Sequence, residues 1–174
     1  MWVSPLVTDG TFMHLVQEQI PAIGRLPAVR AAMKKYTAGY LTEKRWAEVL
    51  APGTMPMMDL ASTDPLASGD QGGEIIRIDT DYFQGFKDGN PNDLTIVPLT
   101  ILHELAHWGY RRGQREGYPS DEFGRAHNNH NGWMSPLDAE LKSVIEANRA
   151  LLAPKLMGPV RRMTNRYMRP VSFA

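Results

Sequence analysis

The stretch from Leu94 to Tyr110 constrains this chain most, because an apolar segment there carries two histidines with a glutamate between them, His103-Glu104-Leu105-Ala106-His107. Its length and composition predict one buried helix, with Pro98 within its first turn or at its first position. Positions four apart on a helix stack one turn above the other, so His103 and His107 share a face and Glu104 lies beside them. Two neutral imidazoles at that spacing, with an adjacent carboxylate, form the HExxH arrangement that builds catalytic zinc sites. Ile101, Leu102, Leu105, Ala106 and Trp108 make the rest of this helix apolar, and a dry surround strengthens a metal's hold on its ligands. The competing reading, two histidines that only satisfy core hydrogen bonds, needs both of them and the glutamate to fall at these positions by coincidence.

With no cysteine in the chain, a metal must be held by His, Asp, Glu or water. Nineteen basic side chains balance nineteen acidic ones, so no global field draws the protein to nucleic acid or to a membrane surface. The start, Met1-Trp2-Val3-Ser4-Pro5, has no basic segment followed by a long apolar core, so no signal peptide is expected. No run approaches the roughly 18 apolar residues of a membrane span. These features fit a cytosolic protein and equally a domain cut from a longer chain. At 174 residues and 43% hydrophobic content, the chain suits one domain over residues 1–174.

Residues 1–50 form a helical N-terminal part. Phe12, Leu15, Val16 and Ile20 recur at helical spacing before Pro21, and Leu26, Val29, Ala32, Met33 and Tyr36 mark a second face. A third helix runs from Thr42 as its cap to Leu50, with Trp46, Val49 and Leu50 inward. From Ala51 to Gly73, Pro, Gly, Ser and Asp dominate, which reads as loop. Glu74 to Asp79 is a β-branched run bounded by glycines and by Asp79-Thr80-Asp81, and reads as the edge strand of a small sheet. Lys87 to Asp93 is turn-rich, Arg111 to Gly132 a polar loop, and Ser135-Pro136 opens a helix of about 17 residues ending near Leu152. Residues 74–152 thus hold the metal-site core, and a basic tail covers residues 153–174.

The third ligand is less direct. A metzincin would need a glycine at position 110 and a histidine at 113, where this chain has Tyr110 and Gly113. Asp121, Glu122, His127, His130, Asp138, Glu140 and Glu146 are the candidates. On a helical wheel, Leu137, Leu141, Val144, Ile145, Leu151 and Leu152 define the buried arc of the last helix. Glu140 falls on one rim of that arc, Asp138 on the opposite rim, and Glu146 toward solvent. A carboxylate at a buried rim needs a partner, and a cation on the HExxH helix would be one, so Glu140 is the expected third ligand. His127 and His130 are alternative ligands or donors to the oxyanion formed during amide hydrolysis. Asn148, central on the same face, either orients a ligand or bonds a nearby backbone group.

The run LTILHELAHWG from Leu99 to Gly109, with the strand Glu74 to Asp79 before it, resembles the zincin metallopeptidase domains of bacterial polymorphic toxins. Among these are domains at the end of type VI secretion spike (VgrG) proteins. Glu146-Ala147-Asn148-Arg149, Gly158-Pro159-Val160-Arg161 and Tyr167 are similar to a downstream pattern of such toxins. His127-Asn128-Asn129-His130 stands where those domains usually show Phe-Glu near a Tyr-Gly pair, a departure that bears on the third ligand. The resemblance implies an α+β, mostly helical, zincin-like domain with His103, His107 and Glu140 on Zn2+ and Glu104 as base. It also implies a toxic effector secreted or delivered into a target cell, with a peptide or protein substrate, a cognate immunity protein and a larger spike protein as partners. The expected reaction is zinc-assisted peptide hydrolysis, with substrate extended along the edge strand. Hydrolysis of an amide in cell-wall peptide and a non-catalytic binding module braced by zinc are the alternatives.

Overall fold

Helices form in the N-terminal part where the apolar spacing predicts them, in a computed structural model that describes residues 1–62, 69–117 and 136–154. Asp9 caps α1 (Gly10–His14), accepting from the Phe12 amide at 3.0 Å. The chain then passes through a π-helical segment (Leu15–Gln19) into α2 (Ile20–Gly24). Phe12, Leu15, Val16 and Ile20 are fully buried along this run. In α3 (Pro27–Tyr36) the predicted face of Val29, Ala32, Met33 and Tyr36 is buried, while Leu26 precedes the helix, packed against the core. Thr42 caps α4 (Glu43–Leu50), whose Trp46, Val49 and Leu50 point inward, and the Trp46 indole donates to the Gly24 carbonyl at 2.7 Å.

The sheet corrects the sequence reading in two ways. Strands β1 (Trp2–Val3), β2 (Met57–Ala61), β3 (Gly69–Gly72) and β4 (Ile75–Asp79) lie in the order β1-β2-β4-β3. β2 and β3 fall inside the stretch read as loop, and β2 sits between β1 and β4, parallel to both. Its strand character comes from backbone pairing on both sides, which turn-rich composition does not report. β4 is therefore an interior strand rather than the edge, pairing with β2 and antiparallel to β3. Among the described residues, β1 and β3 are the edges.

The Asp79-Thr80-Asp81 boundary turns out to be a helix start, since the Asp79 carboxylate accepts from the Asp81 and Tyr82 amides and caps α5 (Thr80–Lys87). The predicted buried helix is α6 (Asp93–Arg115), which extends beyond Tyr110 through residues read as loop and encloses Pro98 instead of starting there. Burial on most sides holds the helix together across the missing Pro98 N–H. The last helix, α7 (Pro136–Ala147), ends earlier than expected and is followed by a 3-10 turn (Arg149–Leu152). Leu151 is consequently exposed, at 44%, whereas Leu137, Leu141 and Ile145 are buried. One apolar cluster runs from the N-terminal helices through the sheet to α6 and α7, making an α+β, mostly helical architecture. No described helix is long and apolar enough to cross a membrane.

Candidate metal centre

The helix carrying the two histidines is seated on its far side. A side chain at Gly109 would bring its Cβ within 2.7 Å of Leu41, and one at Gly113 within 2.9 Å of Tyr40, so both glycines let the segment after α3 lie directly on α6. Toward the sheet, Glu74 accepts from the Trp108 indole and from the Arg112 guanidinium, each at 2.8 Å. Arg112 also lies over the Trp108 ring, with its guanidinium carbon 5.4 Å from the ring centre. A cavity lined by Tyr40, Arg45, Trp108 and Arg112 belongs to this rear surface, on the opposite side of α6 from the histidines.

On the front of α6, the His103 and His107 rings meet edge to face with centres 4.7 Å apart, and their Nε2 atoms approach to 3.0 Å. His103 Nδ1 lies 2.6 Å from Asp138 Oδ1 at the start of α7, with both side chains about nine-tenths shielded from solvent. An ionised carboxylate only accepts, so the proton of His103 sits on Nδ1 and its Nε2 presents a lone pair toward His107. That arrangement suits a metal-binding imidazole, whose other ring nitrogen is characteristically held by a carboxylate. Two nitrogens converging in this way fit a divalent cation. Glu104 is buried next to them on the helix, at 8% exposure, as is His107 at 9%.

Glu140 is engaged elsewhere: its Oε1 accepts from Lys35 Nζ at 2.6 Å and from the Tyr36 hydroxyl at 3.0 Å. The Glu140 hydrogen bond holds the Lys35 ammonium above its usual pKa, and burial raises that of the Tyr36 phenol. Glu140 is exposed rather than held at a buried rim, and its partners come from α3. Asp138, on the opposite rim, is the carboxylate brought to the histidines, and the legible signal for it was its place in the first turn of a helix packed against α6. Glu146 is exposed as expected. Asn148 terminates α7 by donating to the Val144 carbonyl at 2.8 Å, which is the backbone role of its two readings. Asp121, Glu122, His127 and His130 lie outside the described residues. Among the described residues, no three His, Asp or Glu side chains converge as a metal site.

Comparison with known families is consistent with this chemistry. A family model described as metallopeptidase toxin 3 matches residues 10–132, more than two-thirds of the chain and including the whole HExxH segment. No protein with a curated description and no solved structure matches the chain.

Proposed function

The chain belongs to the metallopeptidase toxin 3 family, and on that premise we propose that it is a zinc-dependent peptidase acting as the toxic part of a larger delivered protein. The family implies a metal cofactor and a protein substrate; zinc is favoured by the donors, imidazole nitrogens without thiolate. The observation carrying this reading is the 3.0 Å approach of His103 Nε2 and His107 Nε2 beside the buried Glu104.

His103 and His107 would hold the ion through Nε2, and Asp138 keeps the His103 ring turned toward it by accepting the Nδ1 proton. When bound, zinc supplies Lewis acidity, polarising the scissile carbonyl and lowering the pKa of water toward about 7. The Glu104 carboxylate takes the proton of the attacking water and returns it to the leaving amine nitrogen. Its burial beside apolar Leu105 and Ala106 keeps bulk water from competing for that proton. A third protein ligand is proposed from Asp121, Glu122, His127 and His130, since Glu140 turns its Oε1 to Lys35 and Tyr36 and no described carboxylate completes a three-residue metal cluster. Extended substrate would add to β3, an edge strand among the described residues, gaining main-chain hydrogen bonds there as an added strand does. Delivery into a target cell, attachment to a secretion spike and neutralisation by an immunity protein complete the proposed setting.

The test is cleavage of a peptide library with and without chelator, alongside Glu104→Gln. The variant should retain bound zinc but lose hydrolysis by at least about 100-fold, the scale of general-base catalysis. Undiminished turnover by the zinc-loaded variant would remove Glu104 from the reaction.

A further inference from the structure

A cavity lies between α6 and α7 on the α6 face that carries His103, beginning one turn before that histidine. The two helices pack against each other in antiparallel fashion, with Asp138 against His103 at one end and Arg149 donating to the Thr95 hydroxyl at 3.0 Å at the other. Ile96, Leu99 and His103 lie on one face of α6, and Asp138, Lys142 and Glu146 lie on one face of α7. The cavity, of about 240 Å³, opens as a groove along these faces, with Ile96 and Leu99 as apolar floor and Lys142, Glu146 and Arg149 at its rim. It is too small for a whole drug-sized ligand, which takes about 300–1,000 Å³, and suits one or two side chains. From His103 to Thr95 the helix advances about 12 Å, the reach of three to four extended peptide residues.

The charges at this rim are incompletely paired. Lys142 and Glu146 have no hydrogen-bond or ion-pair partner among the described residues, and Arg149 has only the Thr95 hydroxyl. Lys142 is half-buried, with its stem available to the apolar floor and its ammonium at the rim, while Glu146 is exposed. Two cations against one carboxylate leave the rim net positive.

We propose that this groove binds the substrate segment a few residues from the scissile bond, taking an apolar side chain on Ile96 and Leu99 and an acidic one at Lys142. Arg149 closes the far end and adds to the positive field. This inference rests on the peptidase reading but assigns a specificity-determining residue outside the metal site. The occupant is an acidic-apolar peptide, because a basic one would meet Lys142 and Arg149 without compensation.

The test profiles zinc-loaded wild type and Lys142→Glu on a peptide library, with Lys142→Gln as a milder control. Wild type should prefer Asp or Glu at one position two to four residues from the cut. Lys142→Glu should shift that preference to Lys or Arg, raising KM for the acidic peptide about tenfold with little change in kcat. A second arm measures anisotropy of a labelled acidic-apolar peptide on Glu104→Gln and on Glu104→Gln with Lys142→Glu. If wild type cuts no peptide, the peptidase reading fails, while weaker peptide binding on charge reversal still supports the groove. Profiles and binding indifferent to the Lys142 charge overturn the proposal. So does concentration-dependent self-association abolished by Lys142→Glu, which would give the groove to a second copy of the chain.

Discussion

Two carboxylates two positions apart on α7 meet different fates, and the difference can be measured. Asp138 holds His103 by its Nδ1 proton, whereas Glu140 joins Lys35 and Tyr36. Asp138→Asn should therefore weaken zinc binding about 10- to 100-fold, the usual consequence of removing a carboxylate behind a metal-binding histidine. Glu140→Gln should leave zinc affinity about unchanged and cost at most ~1 kcal/mol of stability, because its ion pair is well exposed. Isothermal titration with zinc separates the two; the reverse order of affinities would return Glu140 to the ligand set. The wheel identified both residues as rim positions, but rims are symmetric about a buried arc. Which rim faces α6 depends on how the two helices dock.

At the scale of elements, the legible features were those in which local pattern and burial agree. The faces of α3 and α4, the Thr42 cap and the β-branched run of β4 are such cases. β2 was obscured because its two flanking strands, remote in sequence, supply the hydrogen bonds that make it a strand. The end of α6 reads as loop in the sequence because Arg112 and Arg115 look like loop residues until Glu74 is placed beside them. The seating of α6 makes its own prediction. Gly109→Ala would drive a Cβ against the buried Leu41, so overpacking of about 1–3 kcal/mol should outweigh the ~1 kcal/mol gain in helix propensity. The urea midpoint should fall with an unchanged m-value. A stabilised Gly109→Ala protein would show that Leu41 yields and that the glycine is not needed for the close approach.

For the whole molecule, the candidate metal centre lies where α6 meets α7, at one side of a core that the N-terminal helices and sheet already build. Zinc should thus stabilise a protein that is folded without it: at 100 times its Kd it should add about 2.7 kcal/mol, or about 5–10 °C in Tm. Calorimetry with zinc and then with chelator reads this gain, which should vanish in a His103→Ala, His107→Ala double variant. A chelated wild type with no cooperative transition would mean that the ion belongs to the fold itself. The sequence by itself determined the reactive motif, because helical spacing alone puts His103, Glu104 and His107 together, and it determined the apolar faces that bury that helix. The tertiary structure decided which carboxylate reaches the histidines, which strand is interior and which faces of α6 and α7 line a cavity beside the site. Those outcomes depend on the relative placement of segments far apart in the chain, which no local periodicity encodes.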